Sequence, residues 1–420
     1  MRVEAFAVIA FFVLAFGLIS GKVEKSPITP PMVFVTFGLF IGPQLLGLID
    51  LNPAREWVRV LAEFTLILVL FTDASRIDFR LLRREYPLPL RMLGIGLPLM
   101  VLSGFALAQL LMGEQLPLWE AAVLATILTP TDAALGQAVI NSPRVPICIR
   151  QAINVESGLN DGLCLPLLFI LLSMAGTDTG GTLHWINFAA QQVLLGPLIG
   201  ALVGYVGGAL LTRAARHHWI THSFEDLAVL GLSLFAFACA EMLGGNGLIA
   251  AFCAGLTIGN TARPICQCLY EFGEAEGQLL VLLIFMVYGA VMVVPALGNV
   301  TWQMVLYALL SLGVLRTLCI AVSTIGLGLR GDTILFLGWF GPRGVASLLY
   351  GLLILEKQGL QAGSTLFDTM VLTVLISIFA HGISAYPASK IYGSRMAHAD
   401  AASPELKPMA EMPTKISWRL

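Results

Sequence analysis

Thr129 to Gly162 reads TPTDAALGQAVINSPRVPICIRQAINVESGLNDG. Three acids, Asp132, Glu156 and Asp161, sit in this stretch between hydrophobic flanks. Charge at membrane depth is costly, and it persists where it faces another charge or a watery cavity rather than lipid. The flanks show that membrane depth is the right frame. The chain has 420 residues, 57% of them hydrophobic and only 12% charged. A soluble domain is usually about 25% charged. Net charge is -2, so no basic field invites nucleic acid.

Windows of about 20 apolar residues are long enough to cross a bilayer. Thirteen such spans are expected, at about 3–20, 28–49, 57–77, 88–112, 118–140, 149–175, 187–212, 224–243, 246–260, 278–298, 302–328, 332–355 and 365–390. The first lacks a basic start and an A-x-A exit, so it reads as a retained helix and not a signal peptide. Eighteen basic residues then fall on one side, among them Arg80, Arg83, Arg144, Arg150, Lys390 and Lys407. Only Arg2, Arg55, Arg59 and Lys357 fall on the other. By the positive-inside rule the N-terminus is outside and the C-terminus cytoplasmic. The tail 393–420 is polar and reads as disordered.

Depth follows at 1.5 Å per residue. The fifth span enters from outside, so Thr129–Asp132 lie about 17–21 Å in. The sixth enters from the cytoplasm, so Glu156–Asp161 lie about 10–18 Å in. Arg316 in the eleventh span and Arg343 in the twelfth also come out near the midplane. Two acid clusters and two arginines thus converge from four spans. Facing one another answers the cost of burying them.

Pro130 sits in mid-span, where it removes an amide donor and clashes with the preceding turn. The helix is expected to unwind there and free its carbonyls, as in broken-helix transporters. In GWFGPRGVAS, 338–347, Pro342 and its glycines predict a second unwound segment. The two breaks are seven spans apart, which inverts their direction and hints at an inverted repeat. In ESGLND, Ser157 and Asp161 are four apart and share a helix face, so both oxygens can address one small cation. Glu156 points elsewhere and calls for an arginine.

These residues resemble the NhaP/NHE-type monovalent cation:proton antiporter family. TPTDAAL, VESGLNDG, GPRG, LLSLGVLRTLCIAVS in the eleventh span and LFTDASRIDF in the third carry the resemblance, which covers about residues 1–390. It implies an all-α polytopic membrane fold of thirteen helices with crossed, unwound fifth and twelfth helices. It implies a core at about 88–175 and 302–390 and a dimerisation part at about 3–77 and 187–298. It implies exchange of Na+, or Li+ or K+, for H+ in a homodimer, with no resident cofactor. By position, Asp161 would bind the ion and the proton. Asp132, Thr131 and Ser157 would supply further ligands, with Thr129 beside them, and Na+ would lie at Asp161, Asp132 and Ser157. Asn160 stands where electrogenic relatives carry a second Asp, which implies one-for-one, electroneutral exchange. Glu156 would pair with Arg316, and Arg343 would lie beside the crossing. Asp73 takes the place of a third-helix acid that is often Glu in relatives, so its reach is shorter. A bacterial inner membrane is the expected location.

A K+/H+ antiporter is the nearest rival, because both ions take oxygens and cavity size decides between them. A cation channel would need a continuous selectivity path, whereas paired broken helices with titratable acids point to alternating access. No metal pair or Ser–His arrangement suggests an enzyme. His217, His218 and His222 cluster in one cytoplasmic loop and read as solvated, with pH sensing as the alternative. Cys266-Gln-Cys268 lacks a second pair and makes a poor zinc site. The spacing Gly200–Gly204–Gly208 suits close helix packing, either inside the chain or across a dimer.

Overall fold

The computed structural model describes residues 3–23, 26–48, 56–85, 87–175, 182–262, 277–357, 363–400 and 403–407. Arg55, Arg263, Cys266, Cys268, the His222 side chain and residues 408–420 lie outside the described set. Among the described residues there is no strand: they are helical apart from turns and short irregular stretches. In chain order the helices are α1 (Val3–Val23), α2 (Pro30–Ile41), α3 (Glu56–Ser75) and α4 (Pro87–Met112). Next come the half-helices α5a (Leu118–Ile127) and α5b (Ala133–Ile140), then α6 (Ile147–Ala175). Then follow α7 (Thr182–Arg216), α8 (His222–Met242), α9 (Gly247–Thr261) and α10 (Gly277–Leu297). The last are α11 (Trp302–Ser323), the half-helices α12a (Gly331–Trp339) and α12b (Val345–Lys357), and α13 (Thr365–Met396).

Seven of these are long and apolar enough to cross a membrane, and α2, α5a, α9 and the stretch Val345–Ile354 are shorter apolar helices. By length and composition alone, the described residues do not fix the exact count of thirteen. Both expected interruptions are present, at 128–132 and 340–344. Two features differ from the sequence expectation. A short helix, Phe79–Glu85, follows α3, with Asp78 Oδ1 accepting from Arg80 N and Leu81 N at its start. The carboxylate satisfies amides that a helix start leaves without partners. Second, the expected disorder of 393–420 does not hold at its beginning. α13 runs on to Met396, and Pro404–Leu406 forms a turn packed back on the protein. Glu405 in that turn is buried and accepts from Arg330 N and Thr333 Oγ1 at the start of α12a.

Small residues set how closely the helices approach. A Cβ on Gly38 of α2, or on Gly42 just past its end, would overlap Met286 O or Ala290 O of α10. A Cβ on Gly255 or Gly259 of α9 would overlap Phe71 O or Ser75 O of α3. The two glycine pairs lie in GLFIG (38–42) and GLTIG (255–259). One motif thus serves two helices that are seven apart, on partners that are also seven apart. That is the pattern an inverted repeat produces. The glycine stripe of α7 is an internal contact: a Cβ on Gly200 would overlap Ala250 O of α9, and Gly204 and Gly208 face Ala254 and Ala262.

Candidate functional site

The two breaks meet. Asp132 N donates to Pro342 O at 2.8 Å, joining the first interruption to the second through the backbone. Each break also supplies the charge that the other helix end needs. Helix ends leave amides at the N-terminus and carbonyls at the C-terminus without intrahelical partners, with partial positive and negative charge respectively. Asp132 Oδ2 accepts from Val345 N at 2.8 Å, so the acid of the first break caps the N-terminus of α12b. Gly344 makes room for it, since a Cβ there would overlap Asp132 Oδ2. In the other direction, Arg343 Nη1 donates to Thr129 O, and to Pro130 O at 3.2 Å, past the C-terminal end of α5a. Ser347 Oγ donates to Ile127 O at 2.8 Å and holds a third carbonyl there. Arg343 N in turn donates to Ser377 Oγ of α13 at 2.6 Å.

Beside this crossing, α6 presents its polar face. Thr131 Oγ1 and Ser157 Oγ are 2.9 Å apart, and Asn160 Nδ2 donates to Thr131 Oγ1 at 2.7 Å. Asn160 Oδ1 is left buried with no hydrogen-bond partner. Tyr350 OH of α12b donates to Asp161 O at 2.8 Å, which fixes the backbone at the acid. Asp161 and Asp132 are 7% and 6% exposed, so both carboxylates are nearly dry yet not sealed. Asn154, Ser157, Gly158 and Asp161 recur at helical spacing on one face of α6. Asp73, Arg76, Ile77, Asn154 and Gly158 line a small cleft on that face. Asp73 therefore lines that face beside Asn154 and Gly158, one to two turns before Asp161.

Glu156 faces away from this cluster. Its Oε1 and Oε2 accept from Arg316 Nη1 and Nη2 at 3.0 and 2.8 Å. Both side chains are essentially unexposed, and such a two-pronged pair is among the stronger buried contacts. A π-helical stretch of α11, Leu310–Leu315, ends at Arg316. The bulge shifts the register of the residues after it. Gly341 is needed beside the pair, because a Cβ there would overlap Arg316 Nε.

The structure thus brings Thr131, Ser157 and Asn160 together, places Asp132 and Arg343 at the crossing, and pairs Glu156 with Arg316. Thr129 Oγ1 donates to Ala125 O one turn back, at 2.7 Å, which leaves the oxygen's lone pairs as acceptors. Sequence reasoning misses three contributors. Ser347 and Tyr350 of α12b are recognisable only once α12b is known to pass α5a and α6. His381 of α13 stands isolated in the sequence. In the fold it is buried, with Nε2 2.8 Å from Trp339 O at the end of α12a and Nδ1 2.9 Å from Ser377 O. The His217 ring stacks on Trp219, 5.2 Å between centroids, in the loop after α7.

Comparison with known proteins agrees with this architecture. The family described as "Sodium/hydrogen exchanger, transmembrane" matches residues 7–390. A probable Na(+)/H(+) antiporter of Schizosaccharomyces pombe is 24% identical over 377 residues, covering 82% of this chain and 48% of that protein. The K(+)/H(+) antiporter NhaP2 of Shewanella oneidensis is 22% identical, covering 64% of this chain and 46% of that protein. The Na(+)/H(+) antiporter NhaS2 of a Synechocystis strain is 29% identical, covering 59% and 46%. The chain spans about half the length of these curated relatives. The fold is that of the sodium proton antiporter MjNhaP1 from Methanocaldococcus jannaschii, with a TM-score of 0.79 at 20% identity over 94% of this chain and 99% of that one.

Proposed function

The chain belongs to the sodium/hydrogen exchanger transmembrane family, and from that premise we propose that it exchanges a monovalent cation for a proton, with Asp161 as the carboxylate both ions share. The observation that carries this reading is the oxygen cluster of Thr131, Ser157 and Asn160 Oδ1 on the face of α6 that holds Asp161. Hard monovalent cations are held by oxygen ligands. A nearly dry carboxylate resists standing alone as an anion, so a proton or a cation neutralises it, and each displaces the other. Asn160 leaves the site one titrating acid where a second Asp would make two. One proton then goes one way for one cation the other way, and transport is electroneutral.

The rest of the crossing keeps its charge whatever the cargo. Asp132 and Arg343 are each committed to a helix end, and Glu156 is committed to Arg316. Asp132 therefore acts first as the clasp between α5 and α12, with one carboxylate oxygen given to Val345 N, and only secondarily as a neighbour of the ion. The core of about 88–175 and 302–390 carries the loaded site by rocking against the part at about 3–77 and 187–298, which would form a homodimer. The α7 glycine stripe is taken up by α9, so the exposed apolar faces of α1 and α7 remain for lipid or a second copy. On the basic residues we place the N-terminus outside and the C-terminus in the cytoplasm, and we take the membrane to be a bacterial inner membrane.

Exchange of K+ is a second reading, supported by the named activity of the Shewanella relative. Liposomes holding a pH dye decide between the two. Na+, Li+ and K+ are added in turn, with and without a potassium/valinomycin clamp, to wild type and Asp161→Asn. A pH change set off by one cation, unchanged by the clamp and lost in the variant, is expected. Conductive cation flux without proton movement would replace the antiporter with a channel.

A further inference from the structure

A second site lies away from the crossing. At the cytoplasmic end of the core, the loop Pro143–Pro146, the start of α6, the last turns of α13 and the turn Pro404–Leu406 line an open cavity of about 930 Å³. Four basic residues line it: Arg144, Arg150, Lys390 and Lys407. One acid, Glu405, lines it too, its Oε1 accepting from Arg330 N and Thr333 Oγ1 and its Oε2 buried without a hydrogen-bond partner, so four positive charges face one negative. The remaining walls are largely apolar, with Val145, Ile147, Met396 and Leu406 among them. Gly393 lets α13 close against the backbone of Arg144, so the basic loop and the helix form one wall.

The cavity continues into a lipid-facing surface. Lys390 and Ser394 line it from α13, and Ile383, Tyr386 and Ile391 lie on the same side of that helix at helical spacing. All three are exposed, by 54%, 48% and 56%. The Arg144 guanidinium lies 5.7 Å from the centre of the Tyr386 ring. Aromatic rings with an apolar body and a polar tip gather at headgroup depth, and basic pockets there attract anionic lipid.

We propose that this cavity holds the phosphate headgroup of an anionic phospholipid, with its acyl chains along Ile383, Tyr386 and Ile391 of α13. A soluble phosphate would use the four cations but neither the apolar walls nor the exposed stripe. The tail turn supplies Lys407 and one wall, so headgroup binding also fastens the tail to the core. The site is independent of the exchange reaction and does not rest on the reading of Asp161.

The test uses the full chain in a neutral detergent, titrated with phosphatidylglycerol, phosphatidylcholine or inorganic phosphate while thermal unfolding is followed. Phosphatidylglycerol is expected to raise the midpoint saturably, and the other two are not. Lys390→Gln with Lys407→Gln should raise the lipid concentration needed by about thirtyfold, at roughly 1 kcal/mol per basic side chain. Arg213→Gln with Arg216→Gln, at the end of α7, should leave it unchanged. Native mass spectrometry should count one fewer retained phosphatidylglycerol on the Lys390/Lys407 variant. Equal responses from phosphate and phosphatidylglycerol, no response to either, an unchanged Lys390/Lys407 variant, or an equal loss in the α7 control would each overturn the proposal.

Discussion

At the α5 break the chain offers Thr131 and Asp132; at the α12 break it offers Gly341, Arg343 and Gly344. Both breaks contain a proline and both are crossed by backbone from the other helix. Their surroundings differ. The α5 break opens onto Ser157 and Asn160, hydroxyl and amide groups that can rearrange around a cation. The α12 break is filled by two guanidiniums: Arg343 holds the end of α5a, and Arg316 lies against Gly341 and grips Glu156. On the proposed reading, the polar groups that release the ion are uncharged or singly charged. Groups that must never move are locked in fixed ion pairs and helix caps. An unwound helix can therefore be a place to bind or a place to brace, and the neighbouring side chains decide which.

Substitutions can separate the two uses. The largest effect on transport is expected from Asp161→Asn, which should bring cation-driven proton flux in liposomes down to the level of empty vesicles while unfolding stays near wild type. A flux that survived would move the binding role to another group. The largest effect on stability is expected on the bracing side. Arg316→Ala leaves Glu156 buried and uncompensated and should cost about 3–5 kcal/mol in denaturant unfolding, with part of the loss recovered when Glu156→Gln is added. Gly344→Ala should cost less, about 1–3 kcal/mol, because the new methyl displaces Asp132 from its cap on α12b. If its transport fell with no stability change, Asp132 would belong to the binding side of the comparison. Ser347→Ala is expected to be smallest, about 1 kcal/mol for one hydrogen bond to Ile127 O, with exchange retained.

Much of the site is legible in the amino-acid sequence, because buried acids and mid-helix prolines are rare enough to stand out. Asp161, Ser157 and the two breaks need only depth and helical spacing. The role of Asp132 is less legible. Its partner, Val345 N, is a backbone amide more than two hundred residues away, and no side-chain pattern marks an amide in need of a cap. The Glu405 turn escapes notice for a related reason: a short polar segment with one buried acid has no periodicity to detect. The repeat of GLFIG and GLTIG is in plain view, but two glycines four apart in an apolar helix are common. Only the overlap with partner carbonyls shows what they do. The resemblance to a known antiporter family names more candidate ligands than spacing alone does, Thr129 among them, whose hydroxyl donates to Ala125 O and keeps its acceptor lone pairs.

The glycine contacts also have a mechanical side. Where a glycine lets one backbone lock against the carbonyls of the next, sliding would drive main chain into main chain. Gly255 and Gly259 lock α9 to α3, and Gly200 and Gly204 lock α7 to α9, so these three helices form a slab that resists shear. A Cβ on Gly158 of α6 would meet Asp73 O and Ile77 Cδ1 at 3.6 Å, ordinary van der Waals distance, while one on Gly162 would overlap the Phe252 ring of α9. The backbone-to-backbone locks therefore lie within α3, α7 and α9, and α6 meets that slab through a side chain and ordinary contacts instead.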